Sequence, residues 1–214
     1  MRWTILVFLI KQATTFAATT ISPVLLKITP NNKITSFEIR NSNTTNISFQ
    51  IDICDWDNCH IDKIGSIDPN WIISPKIISI PPNGKQIIRL TQRNISSQAT
   101  EQKKRLLVRE IETTPNQKGI KIKSNYSIPL FARNTKPQID KKPYIKANGD
   151  ILVITNESNT FITLGRLYNR ENSLVIGGYV PAHESKTVKL PFSIVHGSYK
   201  LDYQIDDTSK TLSF

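Results

Sequence analysis

The sequence predicts an all-β protein made of two successive β-sandwich domains. Short runs rich in Ile, Val, Thr, Phe and Tyr recur about every ten residues, and helical periodicity is nearly absent. Clusters of Pro, Gly, Asn and Asp separate these runs, as turns do. The pattern also breaks once along the 214 residues. A chain of this length, with 38% hydrophobic residues, can form two domains of about 100 residues each.

The first domain contains seven strand-like runs. They cover residues 24–28, 34–39, 47–53, 77–80, 86–90, 106–111 and 120–131, with turn-forming stretches at 29–32, 81–84 and 113–119. Pro81 and Pro82 cannot donate hydrogen bonds to a strand ladder, and Asn83 and Gly84 tolerate the positive φ of a tight turn. Strands joined by such turns are typical of an immunoglobulin-like sandwich.

The hydrophobic pattern stops at a polar stretch, residues 133–143, and we place the domain boundary there. The first domain then covers residues 18–136 and the second covers 137–214. Strand-like runs resume in the second domain at 151–154, 161–167, 173–176, 187–190, 199–205 and 211–214. These runs indicate a second, smaller sandwich.

Residues 1–17 have the features of a signal peptide. Arg2 supplies a positive charge, residues 3–10 form an apolar run, and Ala17 ends a small-residue cleavage site. Lys11 interrupts the apolar run, so the alternative interpretation is a first strand with an irregular start. We expect the chain to be exported and the signal peptide to be cleaved. No later segment has an apolar run long enough to span a membrane, so we expect no membrane insertion of the cleaved chain.

Cys54 and Cys59 are the only cysteines, and an even count in an exported chain predicts one disulfide that closes a small loop. The alternative is a metal site, because His60 and the acidic residues Asp52, Asp55 and Asp57 lie in the same stretch. A single C-x4-C-H lacks the second ligand pair of a zinc site. We therefore expect neither a metal nor a cofactor.

The formal net charge of +11 suits nucleic acid, an anionic membrane surface or an acidic protein. The basic residues are scattered through strand-like runs, without the interleaved aromatic residues that stack on bases, so we expect no nucleic-acid partner. A polyanion-binding module remains the weaker alternative.

No enzyme is expected either, because His60, His183 and His196 have no nucleophile motif near them. The neighbouring acids Asp206 and Asp207 are typical of a solvated turn.

Several segments together, in this order and spacing, carry a resemblance to a known family. They are 22–24, 30–32 and 37–41 near the start, then 71–75 and 80–90 with their prolines, Asn83–Gly84 turn and Arg89, then 104–111 and finally 126–133. In these segments the chain resembles the periplasmic pilus-assembly chaperones of the PapD-like family, and especially their archaic, Csu-type branch. The resemblance implies two immunoglobulin-like sandwiches set at an angle to each other.

Residues 120–128 alternate between apolar or small and polar side chains. One face is a row made of Ile120, Ile122, Ser124, Tyr126 and Ile128. Taken alone, such a row predicts the core face of an ordinary strand. The resemblance implies instead the strand that such chaperones lend to a pilus subunit lacking its last strand, before an outer-membrane usher receives the subunit.

The family also anchors the subunit's terminal carboxylate with a basic pair, and the matching positions here are Leu25 and Pro129. Neither can bind a carboxylate, so the resemblance leaves the anchor to another basic residue: Arg89, Arg109 or Lys27. The family further implies an ion network between the domains. The matching residues are Arg133, Glu101 and Asp207, with Asp206 next to Asp207 as the alternative.

The principal rival interpretation is an immunoglobulin-like surface adhesin or structural subunit. Such a protein forms homopolymers, whereas a chaperone forms a complex with a different protein.

Overall fold

The computed structural model describes residues 19–59, 69–93, 100–112, 123–194 and 197–214. All regular elements in these ranges are strands, which confirms the predicted all-β fold. The predicted signal peptide, residues 1–17, lies outside the described residues. In the part of the chain that is described, no helix of a length and apolarity to cross the bilayer is found.

Nine strands form the first sandwich: β1 Thr19–Ser22, β2 Leu26–Ile28, β3 Ile34–Asn41, β4 Ile47–Asp55, β5 Trp71–Ser74, β6 Ile77–Ile80, β7 Lys85–Gln92, β8 Gln102–Ile111 and β9 Asn125–Ala132. Sheet I has the order β1-β3-β7-β5, and sheet II has the order β2-β9-β8-β4-β6. Sequence analysis missed β1, and β5 was absent from its strand-like runs, although the family resemblance implies a strand at 71–75. Both are short, four-residue strands at the edges of sheet I.

The core of the first sandwich lies between the two sheets because each strand sends alternate side chains inward. On β7, Ile88 and Leu90 are buried, whereas Ile87 and Arg89 face solvent. The largest fully buried side chains include Phe37 of sheet I and Phe49 of sheet II.

Eight strands form the second sandwich: β10 Tyr144–Asn148, β11 Ile151–Thr155, β12 Ile162–Tyr168, β13 Ser173–Val175, β14 Tyr179–Val180, β15 Ser185–Lys189, β16 Lys200–Ile205 and β17 Thr208–Ser213. One sheet has the order β10-β11-β15, and the other has the order β13-β12-β16-β17, with β14 also paired to β12. Its buried core is separate from the first. The boundary between residues 136 and 137 stays a prediction within the connection from β9 to β10.

Each sandwich contains one buried asparagine that fastens a loop onto a proline turn. The Asn41 amide nitrogen donates to the carbonyls of Thr45, Ile80 and Pro81 at 2.9, 2.9 and 3.1 Å. In the second sandwich, the Asn156 amide nitrogen donates to the carbonyls of Thr160, Val180 and Pro181 at 2.8, 3.0 and 3.0 Å. The two domains therefore share a buried asparagine with the same hydrogen-bonding role, although the sequence shows no repeat that would predict it.

The turn predicted at residues 81–84 is present, but Gly84, its last residue, does not have the positive φ that the sequence suggested. Asn83 alone adopts the left-handed conformation, with φ of 58°. Gly84 is required for space, because a Cβ there would lie 2.9 Å from the Pro81 side chain and its carbonyl oxygen. The Gly84 amide closes the turn by donating to that oxygen at 3.0 Å.

The predicted disulfide is confirmed. Cys54, near the end of β4, is bonded to Cys59, with their Cα atoms 5.3 Å apart.

Candidate functional site

Strand β9 is half internal and half at an open edge. Its last three residues pair in parallel with β2, with Leu26 opposite Leu130 and Ile28 opposite Ala132. Along its whole length it pairs antiparallel with β8. From Asn125 to Pro129, no described strand lies on the other side. Among the described residues, that side of the segment therefore has no strand partner for its backbone groups, and Pro129, which has no N–H, lies at the edge where proline is tolerated.

The side chains of the predicted row become more buried along β9. Ser124 and Tyr126 are half-buried, and Tyr126 packs against the core with its ring 6.4 Å from the Phe49 ring. Ile128 is only 4% exposed. Its side chain packs in the core of its own domain, so a contact between Ile128 and a subunit stays a prediction. Ile120 and Ile122 lie outside the described residues.

The hairpin of β8 and β9 continues its ladder beyond the start of β9. The Ser124 amide donates to Glu110 Oε2 at 2.9 Å, and the Glu110 amide donates to the Ser124 carbonyl at 3.2 Å. One residue further, Lys123 Nζ lies 3.4 Å from Glu112 Oε2. Residues 123 and 124, which precede β9, therefore stay in contact with the end of β8 and the residue after it.

Two of the three predicted anchor residues already have acidic partners. Lys27 Nζ lies 2.5 Å from Asp207 Oδ1 and 5.6 Å from the centre of the Phe161 ring. Arg109 is paired with the buried carboxylate of Asp52, which Lys76 also contacts at 3.1 Å. Both cations are therefore already matched to a carboxylate within the chain.

The third predicted anchor, Arg89, lies on the wrong sheet. It faces outward from β7 of sheet I, whereas β9 belongs to sheet II. The core of the first sandwich separates the two outer faces. The pleat of β7 thus directs Arg89 away from Pro129.

Arg105, which sequence analysis missed, lies directly opposite Pro129 in the β8–β9 ladder. Its guanidinium carbon lies 4.2 Å from the centre of the Trp56 ring, and Nη1 lies 3.5 Å from Ser127 Oγ. Among the described residues, no carboxylate forms an ion pair with it. The alternation of side chains along β8 could have predicted this position. Because Leu106 faces the core, its neighbour Arg105 faces the outer side of sheet II.

Arg133 lies at the junction of the two sandwiches and is 6% exposed. Its Nη1 lies 3.7 Å from Glu101 Oε1 and donates to Thr160 Oγ1 at 3.1 Å. Its Nη2 donates to Asp206 Oδ1 at 2.5 Å. The structure thus brings together Arg133 and Glu101 as predicted, but the third member is Asp206 and not Asp207.

The correction follows from the turn between β16 and β17. Both Asp206 and Asp207 have positive φ, 45° and 68°, and their side chains point to different partners. Asp206 reaches Arg133, and Asp207 reaches Lys27. Both carboxylates therefore bind cations of the first sandwich.

Glu101 is a buried carboxyl at the junction, and the effect of its burial outweighs that of its polar partners. Burial raises its pKa from an ordinary 4.5 to about 7, although hydrogen bonds from the Phe161 amide and the Thr160 hydroxyl, together with the Arg133 charge, oppose the rise. The Phe161 amide donates to Oε2 at 2.7 Å, and Thr160 Oγ1 donates to Oε1 at 3.0 Å. The junction thus contains a carboxyl that titrates near neutral pH.

Aromatic rings complete the junction. Phe131, on the outer face of β9, stacks on Phe161 with centroids 4.0 Å apart and meets the edge of Tyr179 at 5.8 Å. Trp56 also packs against Phe131, with ring centroids 5.3 Å apart. The strand with the open edge is therefore fixed at its far end to the second sandwich.

In the described part of the chain, no three His, Cys, Asp or Glu side chains are grouped so that they could hold a metal ion. His60 and His196 lie outside the described residues, and His183 occupies a turn with φ of 57°.

Residues 18–137 match the pili and flagellar-assembly chaperones, PapD N-terminal domain. The match covers more than half of the chain, and the protein belongs to this chaperone family. No curated protein sequence matches the chain.

Solved structures share the two-domain fold. A chain of the CsuC–CsuE chaperone–tip adhesion subunit pre-assembly complex, from the archaic chaperone-usher Csu pili of Acinetobacter baumannii, has 21% sequence identity and a TM-score of 0.68; the match covers 92% of this chain and 98% of that one. A chain of the Salmonella enterica SafA pilin complex with the SafB chaperone has 13% identity and a TM-score of 0.71, covering 94% and 99%. The Pseudomonas aeruginosa CupB2 chaperone has 14% identity and a TM-score of 0.66, covering 91% and 98%.

Proposed function

We propose that this protein is a periplasmic chaperone of the chaperone/usher pathway that folds, caps and delivers pilus subunits by donating strand β9. The observation that carries the proposal is the open edge of β9 from Asn125 to Pro129, beside the half-buried Ser124 and Tyr126. The periplasmic location is supported by the predicted signal peptide and by a structural relative described as a periplasmic chaperone, SfaE.

The physical logic is β-strand addition. A subunit lacking its last strand exposes unpaired backbone and an apolar groove, both of which promote aggregation. An added strand satisfies the backbone, and its side chains fill the groove, a mode known for chaperone–pilin complexes. By sequence alternation, Ile120 and Ile122 continue the row of Ser124 and Tyr126 toward the subunit. Burying these two isoleucines contributes about 3–6 kcal/mol before ordering costs.

Arg105 is the residue that we propose as the carboxylate anchor, in place of Arg89, Arg109 and Lys27. It is half-buried, has no acidic partner among the described residues, and lies beside Ser127 and Pro129 on the outer face of sheet II. A guanidinium held against an indole ring keeps its edge available for bidentate binding of a carboxylate. Proline at position 129, in place of a basic residue, supports membership of the archaic branch.

The outer-membrane usher is the second proposed partner. The outer face of sheet I carries three exposed isoleucines, Ile34, Ile72 and Ile87, at 57%, 38% and 41% exposure. The register places Thr91 between Ile34 and Ile72, so that these three residues form one row across the sheet, whereas Ile87 lies further along β7, opposite Glu38. This face stays accessible while β9 holds a subunit, because it lies on the opposite side of the sandwich. The proposed role requires neither catalysis nor a cofactor.

The test is co-expression of the tagged chain with candidate subunits encoded beside it, followed by purification from the periplasm and determination of mass and stoichiometry. The wild-type chain should yield a one-to-one complex with a strand-deficient subunit. Replacing Ile120 and Ile122 together by Asp should abolish the complex and leave the chaperone folded. A matched control is Ile77→Asp, because Ile77 is 64% exposed on β6 at the other edge of sheet II.

Two outcomes would contradict the proposal. Recovery of homopolymers alone would favour a surface adhesin or structural subunit. Global unfolding of the double variant would mean that the row belongs to the core of the protein itself. The anchor is tested separately with Arg105→Gln, which should weaken binding of a subunit with a free terminal carboxylate more than binding of the same subunit extended by one residue.

A further inference from the structure

We propose that the disulfide loop, residues 54–59, braces the junction between the two sandwiches, so that the relative position of the domains depends on the Cys54–Cys59 bond. The loop belongs to the first sandwich: it begins with the last two residues of β4 and continues to Cys59. Two of its side chains begin separate chains of contacts that end in the second sandwich. The inference does not depend on strand donation.

The first chain of contacts is aromatic. Trp56 of the loop packs on Phe131 at 5.3 Å, and Phe131 in turn stacks on Phe161 at 4.0 Å, with an angle of 12° between the rings. Arg105 covers the Trp56 ring at 4.2 Å. The indole of the loop is therefore linked to the second sandwich through Phe131. Aromatic pairs of this kind contribute beyond the area that they bury.

The second chain is ionic. Asp57 Oδ2 lies 3.0 Å from Lys103 Nζ, and the same nitrogen lies 2.7 Å from Glu184 Oε1 of the second sandwich. The Lys103 side chain is 23% exposed and forms an ion pair with one carboxylate from each domain. Because Asp57 helps to hold the Lys103 ammonium in place, the loop also fixes the cation that Glu184 binds.

The covalent bond is what keeps Trp56 and Asp57 in these positions. Beyond the β4–β8 pairing of Cys54 and Asp55, the Asn58 amide of the loop donates to the Asp55 carbonyl at 3.3 Å, and the exposed Asp55 pairs with Lys104 of β8 at 2.7 Å. Exposed ion pairs contribute little to stability. A disulfide instead restricts the conformations of the loop that it closes. Without it, the loop is free to withdraw both side chains from the junction.

Reduction of the loop is a balanced two-electron step. The sulfur–sulfur bond of Cys54 and Cys59 breaks and takes up two electrons and two protons, which yields two thiols. A dithiol reductant such as dithiothreitol supplies both and becomes a cyclic disulfide.

The test is measurement of residual dipolar couplings on the isotopically labelled full chain, oxidised and reduced with dithiothreitol. In the oxidised protein, one alignment tensor should fit the amides of both domains. After reduction, the two domains should require different tensors. A common tensor in a protein whose thiols are shown to be free would overturn the proposal.

A second variant covers the case in which reduction unfolds the first sandwich. Trp56→Leu combined with Asp57→Asn keeps the disulfide but removes both contact chains, so it should also separate the tensors. The matched control is Tyr144→Leu, which removes a 59% exposed ring from β10 and should leave the common tensor intact. A common tensor in the double variant would refute the brace whatever the reduced protein does.

Discussion

Replacing Glu101 by glutamine should remove a pH dependence of stability that originates at the domain junction. The side chain of Glu101 is 3% exposed, and its pKa is raised by burial to about 7 from an ordinary 4.5. The folded chain therefore binds this proton more tightly than the unfolded chain does. The resulting stabilisation is complete below the unfolded value of 4.5 and is lost as the pH rises through about 7.

The size of the effect follows from the two pKa values. Their difference corresponds to roughly 3 kcal/mol, at about 1.4 kcal/mol for each pH unit. The wild-type chain should therefore lose about 3 kcal/mol of unfolding free energy through this one group between about pH 4 and pH 8. A glutamine at this position does not titrate, and its amide oxygen can still accept the hydrogen bond from the Phe161 amide.

The assay is urea unfolding of both proteins over this pH range, followed by fluorescence of Trp56 and Trp71, which both lie in the first sandwich. Subtracting the free energies of the variant from those of the wild type cancels the contributions of titrating groups that do not interact with Glu101. The difference should change by about 3 kcal/mol across the range in favour of the wild type at low pH. A difference that stays constant with pH would refute the assignment of the raised pKa to Glu101.

Three further substitutions test the packing. Arg133→Met leaves the carboxylates of Glu101 and Asp206 without their cation and should cost about 3–5 kcal/mol in urea unfolding at neutral pH; a loss below about 1 kcal/mol would mean that the network is not structurally important. Asn41→Ala deprives three carbonyls of their donor and should lower the unfolding free energy of the first sandwich by roughly 2–3 kcal/mol, measured by amide exchange in β3 and β7, with no change in the second. Gly84→Ala forces a Cβ to within 2.9 Å of the Pro81 side chain and should cost about 1–3 kcal/mol by thermal unfolding, whereas an unchanged melting temperature would show that the turn relaxes freely.

The arrangement of the strands could largely be predicted from the sequence, because alternation and turn residues are local signals. The run 47–53 predicted β4, and the prolines at 81 and 82 predicted the turn before β7. Short edge strands such as β1 were missed, since four residues are too few to establish a period.

The candidate site was harder to predict because its members meet only through register and domain packing. Residue spacing cannot tell Asp206 from Asp207, whose side chains diverge at a turn where both have positive φ. Nor can it show that Arg109 is matched by the buried Asp52 on the neighbouring strand, while Arg105 has no such partner among the described residues. These outcomes depend on which strands pair and in what register, and the pairing is a long-range property.

The buried asparagine in each sandwich and the buried glutamate between the sandwiches respond differently to pH. Asn41 and Asn156 are neutral amides, so the fastening of each domain is the same whatever the proton concentration. The junction, in contrast, contains Glu101, which changes charge near neutrality. The pH dependence that Glu101 contributes therefore originates where the two sandwiches meet, and the loops fastened by Asn41 and Asn156 do not share it.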